Sequence, residues 1–296
     1  MATNILERIQ NGDILLSDGA MGTELQKRGL PGGACPEAFN VEHPEIVQSI
    51  YRDYYQAGSD IVETNTFGGN RARLKLHGLE NRVTEFNRTA AELAREVCPA
   101  GKYVAGSIGP TGEILEPLGT LSVAQAYDYF AEQAEALAAG GVDIIYVETM
   151  MSIEEIVSAV KAAKQTTHLP VVASMTFDLT DQGPRTSWGV TPAMMVEQLP
   201  AAGADVLGAN CGNGVDVVVA AIRELHRLTD LPLLAQPNAG LPEISGRTVI
   251  YRETPTDMAQ EMEELLQMGV AILGGCCGTN PQHIRELRRL IEKRKF

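Results

Sequence analysis

Eight short apolar runs alternate with amphipathic stretches along this chain, and no other feature restricts its fold so tightly. The runs occupy residues 14–17, 60–63, 103–106, 144–147, 171–174, 206–209, 233–236 and 271–274. Each is too short for a helix and reads as a buried strand. Between them lie helix-period patterns such as residues 122–139, rich in Ala, Glu and Gln with apolar residues at helical spacing. Gly58-Ser59-Asp60, Gly141-Val142-Asp143 and Gly203-Ala204-Asp205 precede three of the runs, and Gly269-Val270 precedes the last. Such phrases mark the helix-to-strand turn of a parallel α/β protein, with glycine ending each helix. Pro44, Pro192, Pro255 and Pro281 fall near helix starts, where a missing N–H costs least, and Asn280 reads as an N-cap. Eight βα units predict an α/β fold, a single closed (β/α)8 barrel rather than an open doubly wound sheet. No Gly-x-Gly-x-x-Gly follows the first run, which counts against a dinucleotide fold. No linker or composition break interrupts the pattern, so residues 1–296 are expected to form one barrel domain.

Composition narrows the partners. The formal charge of -14 argues against nucleic acid or an anionic membrane surface. The first residues lack an apolar signal core, and no apolar run approaches the ~18 residues of a membrane helix. An odd count of five cysteines fits a reducing, cytoplasmic setting.

Three of those cysteines stand at strand ends. Cys211 follows the sixth run, and Cys276-Cys277 follow the eighth within Gly274-Gly275-Cys276-Cys277-Gly278. Barrel enzymes keep their chemistry at the C-terminal ends of the strands. Three thiolates on rigid elements, with glycines that allow close backbone approach, suit a catalytic zinc ion with one position open to a reactant. Other readings remain: buried cysteines that pack as small hydrophobes, a strained disulfide, or a redox-active vicinal pair that leaves Cys211 without a role. Structural zinc would normally use a fourth ligand. Cys35 and Cys98 are free thiols without assignment, and the five histidines look like surface or helix-end residues.

Polar residues also gather after the strands. Asp18-Gly19-Ala20-Met21-Gly22-Thr23 follows the first, Thr64-Asn65-Thr66-Phe67-Gly68 the second, a segment beginning at Ser107 the third, and Glu148-Thr149 the fourth. Asn238-Ala239-Gly240 follows the seventh. The longest connection, residues 178–191, carries the only tryptophan, Trp188, and is either a lid or a solvated excursion.

Together these phrases, with Asn210-Cys211 and the glycine-flanked cysteine pair, resemble the homocysteine S-methyltransferase family from about residue 18 to 291. The phrasing is most similar to the homocysteine-binding module of cobalamin-dependent methionine synthases. The resemblance implies a barrel that methylates homocysteine to methionine, with Zn2+ on Cys211, Cys276 and Cys277. It implies that Asp18 and Glu148 hold the substrate amino group, in a pocket shared with Gly19, Thr64, Asn65, Thr66 and Ser107. Asn238 stands where a neutral oxygen would fill the fourth zinc position until the substrate sulfur displaces it. Zinc would deprotonate the bound thiol outright, so no catalytic residue beyond the metal site is needed. The Asp-x-His-x-x-Gly phrase of corrinoid modules is absent. The donor that the resemblance implies is methylcobalamin, carried by a separate corrinoid protein or module. Direct use of S-methylmethionine, S-adenosylmethionine or betaine, or a zinc-holding thiol-binding protein without turnover, are the alternatives. With 5% aromatic residues, support for a betaine site is modest.

Overall fold

In the computed structural model, which describes residues 4–245 and 248–294, all eight runs form strands. They are Leu15–Leu16, Ile61–Glu63, Tyr103–Ile108, Ile144–Met150, Val171–Met175, Val206–Cys211, Leu233–Pro237 and Ile272–Leu273, termed the first to eighth strands. They pair in parallel in the order first, eighth, seventh, sixth, fifth, fourth, third, second. The first and second strands therefore stand at the two ends of the ladder, and a seam between them closes the barrel. There the Asp60 N–H donates to the Leu16 carbonyl (2.6 Å), and the Leu16 N–H donates to the Asp60 carboxylate (3.0 Å).

The period of two along each strand sorts the core into two layers. Leu15, Ile61, Tyr103, Ile144, Tyr146, Val172, Val206, Leu234 and Ile272 pack inside the barrel. Their neighbours Leu16, Val62, Val104, Ile145, Val171, Leu207, Leu233 and Leu273 pack outward against the helices. Every one of these side chains is essentially buried, and each is worth roughly 1.5–3 kcal/mol of burial. Followed toward the strand C-termini, the inward parity changes from apolar to polar: Ser17, Glu63, Ser107, Glu148, Ser174, Asn210 and Gln236, with Gly274 on the eighth strand. The barrel thus carries an apolar plug below and a polar ring above.

The helices begin and end as the local chemistry dictates. Pro44, Pro192, Pro255 and Pro281 each occupy the first helical turn. Ser122 and Gln125 close a capping box ahead of Val123–Ala139. Gly58 and Gly203 end their helices in the left-handed conformation. Residues 178–191 form a small antiparallel hairpin, Asp178–Thr180 with Gly183–Arg185, followed by the half-exposed Trp188. His283 lies at a helix end, one of the two placements expected of the histidines, and is buried there. It is 4% exposed, its Nδ1 accepts the Asn280 N–H (3.3 Å), and its Nε2 meets the Glu253 carbonyl (3.2 Å). Packing of the last helix beneath the segment after the seventh strand buries a ring that sequence position alone leaves at a helix end. Among the described residues, no helix is long and apolar enough to cross a membrane.

Candidate metal centre and binding pocket

Cys211 ends the sixth strand with φ +63°, a left-handed conformation unusual for a residue with a Cβ. Gly212 continues in the same region, and the two together turn the chain sharply at the rim. Cys276 and Cys277 lie in the turn after the eighth strand, held from both sides. The Cys276 N–H donates to the Pro237 carbonyl (2.8 Å), and the Ala239 N–H donates to the Cys277 carbonyl (3.0 Å). Thr279 Oγ1 donates to the Cys276 carbonyl (2.7 Å) and accepts the Ala20 N–H (3.1 Å), which ties this turn to the loop after the first strand. Gly275 must be glycine for that clamp, since a Cβ there would sit 2.6 Å from the Thr279 side chain. The three Sγ atoms all lie within 4.8 Å of one another.

Two observations are consistent with these residues holding a metal ion. Zinc–sulfur bonds of about 2.3 Å place thiolates roughly 3.8 Å apart, a spacing within the 4.8 Å that bounds this cluster. Asn238 supplies a second: it is 3% exposed, its amide donates to the Gly212 carbonyl (2.6 Å), and its buried Oδ1 has no hydrogen-bond partner among the described residues. That oxygen is available as a neutral ligand. The thiols themselves show why a cation is wanted. Hydrogen bonds from Cys276 and Cys277 pull the Cys211 thiol down to about 3, while Cys276 is pushed well above its ordinary value and Cys277 up to about 11. A bound cation favours ionisation of all three.

A cavity of about 450 Å³ opens from this cluster across the barrel mouth. Cys211, Cys276 and Cys277 line it together with Glu63, Ser107, Glu148 and Gln236 of the polar ring. Ser107 Oγ donates to Glu148 (2.5 Å), Gln236 Nε2 donates to Glu63 (2.6 Å), and Asn210 Nδ2 reaches Glu148 (3.4 Å). Asn210 also accepts the Thr149 N–H (2.9 Å) and the Ser174 hydroxyl (2.6 Å), which fixes the left-handed Thr149 beside Glu148. Asp18 is 1% exposed and stands behind the cavity wall, its carboxylate accepting the Glu63 N–H across the barrel seam (2.9 Å). Burial and the nearby Glu63 carboxylate push both Asp18 and Glu148 well above the usual carboxylate range, and burial raises Glu63 as well. None of the ion pairs among the described residues involves any of the three.

The remaining expected residues divide by what their side chains do. Gly19 lines the cavity and passes so close to Thr279 Oγ1 (2.5 Å from a Cβ built there) that only glycine fits. Thr64, Asn65 and Thr66 also line it, but their side chains are engaged elsewhere. Thr64 and Thr66 bond each other (2.6 Å), Thr66 donates to the Ser107 carbonyl (2.7 Å), and the Asn65 amide donates to the Pro36 carbonyl (2.7 Å) and to Asn40 (2.9 Å). Glu63, Gln236 and Asn210 were not among the expected site residues. Their inward parity on the second, seventh and sixth strands is the signal that would have found them.

Comparison with known proteins places this geometry. The sequence model of a family described as Homocysteine S-methyltransferase matches residues 15–291. The chain is 33% identical over 298 residues to a protein of Mycobacterium tuberculosis (strain ATCC 25618 / H37Rv) named methionine synthase. That match covers 94% of this chain but 24% of the relative, so the chain spans about a quarter of the relative's length. Among solved structures it is similar to the metallated form of the homocysteine methyltransferase MmuM from Escherichia coli, with a TM-score of 0.80 and 27% identity over 97% of this chain and 99% of that one. The apo form of the same protein gives a TM-score of 0.74 at 27% identity, covering 97% of this chain and 100% of that one.

Proposed function

The chain belongs to the homocysteine S-methyltransferase family, and from that premise we propose that it transfers a methyl group to the thiol of homocysteine, giving methionine. The observation that carries this reading is the composition of one cavity. A wall of three thiols that could hold a metal ion faces a floor of carboxylates that form no ion pair among the described residues. An amino acid with a sulfur-bearing side chain answers both ends. The metal is zinc, held by Cys211, Cys276 and Cys277 with Asn238 as the fourth ligand in the absence of substrate. When bound, zinc supplies a Lewis acid that keeps a thiol ionised at neutral pH.

The chain's own residues do the rest. Glu148, backed by Asp18, receives the α-ammonium group, and Ser107 holds Glu148 in place (2.5 Å). Backbone at Gly19 and along residues 64–66 shapes the wall against which the amino acid lies. Because Asn210 touches both Glu148 (3.4 Å) and Cys276 (4.0 Å), the ammonium site and the metal site keep a fixed separation. That fixed separation sets the approach of the sulfur to the methyl group, which is the main demand of an in-line displacement. The barrel acts as one homocysteine-binding domain in the cytoplasm.

For the donor, we read methylcobalamin carried by a separate corrinoid protein or module. The support is that the mycobacterial relative extends over three-quarters of its length beyond the matched part. A second reading, a small donor such as S-methylmethionine used directly, is favoured by the match to MmuM, which this chain covers over 99% of its length. The test is metal analysis combined with methionine formation, run separately with methylcobalamin, S-methylmethionine, S-adenosylmethionine and betaine. About one zinc per chain and turnover with one donor are expected. Zinc and homocysteine binding without turnover under any donor would make this a binding protein, and a metal-free, oxidised Cys276–Cys277 pair would overturn the reading.

A further inference from the structure

Three carboxylates converge at the top of the barrel seam, and the family resemblance implies a role for only two of them. Glu63 is the third. Its side chain is on the cavity wall, whereas Asp18 lies behind it. Its Oε1 accepts Gln236 Nε2 (2.6 Å) and the Ser17 hydroxyl (3.4 Å), and its carboxylate is within hydrogen-bonding reach of Glu148. Two carboxylates in such contact repel when both are ionised, and a single proton between them turns the repulsion into a hydrogen bond.

Among the described residues no ion pair relieves that repulsion. The first strand and its loop contribute Ser17 and Asp18, the fourth Tyr146 and Glu148, and the seventh Gln236. Of these only Asp18, Tyr146 and Glu148 titrate; burial pushes the Tyr146 phenol well up, and Asp18, which accepts the Glu63 N–H from behind the cavity wall, is itself raised by burial and Glu63 and brings no counter-charge. Arg73 and His77 line the same cavity, yet neither forms an ion pair with these carboxylates. A positive charge about 4 Å away would weaken the hold on the shared proton on the order of a thousandfold.

We propose that Glu63 and Glu148 hold one proton between them in the empty pocket and release it when the ammonium group of an amino acid enters. Glu63 is then a substrate-positioning residue of the amino-group site, and ligand binding is proton-coupled independently of any thiol. The step balances simply: the carboxyl O–H bond breaks, the proton leaves to buffer, and the ligand keeps its ammonium protons. The inference rests on the amino-acid reading of the pocket given above, but not on methyl transfer.

L-Methionine separates the two, because a thioether has no thiol proton to lose. Calorimetric titration of the metal-loaded protein with L-methionine near neutral pH, in buffers of different ionisation enthalpy, counts the protons released. About one proton per ligand is expected for the unmodified protein, and about none for Glu63→Gln or Glu148→Gln, where an amide replaces the proton-sharing partner. With homocysteine the thiol proton adds to that count. Infrared difference spectra of the unmodified protein give a check that needs no variant: a protonated-carboxyl band should disappear as methionine binds. Methionine binding without proton release, an undiminished release in Glu63→Gln, or an unchanged carboxyl band would each overturn the proposal. Release on methionine binding in a protein that transfers no methyl group would support it while overturning the methyl-transfer reading. Failure of both amino acids to bind would overturn both.

Discussion

The barrel seam carries a buried carboxylate site at each end, and the two are opposites. Near the N-terminal ends of the strands, Asp60 accepts the Leu16 N–H and pairs with Lys102 (2.6 Å) and with Arg288. Burial works to raise its carboxyl, but Arg288 and Lys102 outweigh it, and the net result lies below the usual range. Near the C-terminal ends, Asp18 is buried and Glu63 and Glu148 are partly buried at the cavity, none of the three pairs with a cation among the described residues, and all are raised. Burial is common to both; the difference is whether the fold supplies its own counter-charge. Where it does, the site holds the structure together. Where it does not, the charge is completed by something that binds, which is why unneutralised acidic clusters mark functional sites.

The comparison can be broken most forcefully at the metal end of the upper site. Cys276→Ala should lose nearly all bound zinc and more than about a hundredfold of turnover, since even outer-shell changes cost 10–100-fold. Elemental analysis and methionine formation check this. The barrel should still fold, because the interior core of Leu15, Ile61 and Tyr146 makes no use of the cysteines. Unfolding of that variant would make the metal structural.

Asp60→Asn should act in the opposite sense, on stability alone. It strands two partly buried cations, and a loss of about 2–4 kcal/mol is expected in urea titrations, with homocysteine affinity unchanged. Because the folded carboxyl is depressed, its contribution is full above the unfolded value and is lost as pH falls through the folded one. Glu148→Gln should do the reverse. It should keep zinc but weaken homocysteine binding by about 1.5–3 kcal/mol, read as a raised dissociation constant. Unchanged affinity would remove Glu148 from the pocket.

The smallest effect gives the finest test. Raised carboxyls lower stability as pH climbs from their unfolded toward their folded values, since the unfolded chain then ionises while the folded one still holds the proton. Glu148→Gln should therefore stabilise the ligand-free barrel by about 0.5–2 kcal/mol at neutral pH, with the gain vanishing in acid. Equal stability at both pH values would mean that the upper cluster is neutralised after all.

Much of the fold is legible in the amino-acid order. Eight runs, the glycine turns between them and four prolines at helix starts specify the barrel because each is a local rule with a local cause. The cysteines of the metal centre are marked by their place at strand ends. The polar ring is also written in the chain, though less openly. On each strand, stepping by two from an inward apolar residue reaches it, from Ile61 to Glu63 and from Leu234 to Gln236. Parity gives direction, however, and not company.

Company comes from closure. Gln236 reaches Glu63 across 173 positions, and Arg288 reaches Asp60 across 228, because the first strand pairs with the eighth and the barrel then closes on the second. The eightfold βα rhythm, the inward and outward faces, and thiols at two strand ends follow from the order of residues alone. It takes the folded chain to make one buried aspartate meet two cations while three other carboxylates meet none, to set Asp18 behind Glu63, and to enclose His283. The reason is physical: secondary structure follows from interactions a few residues apart, whereas the charge state of a buried group depends on neighbours that closure alone brings together.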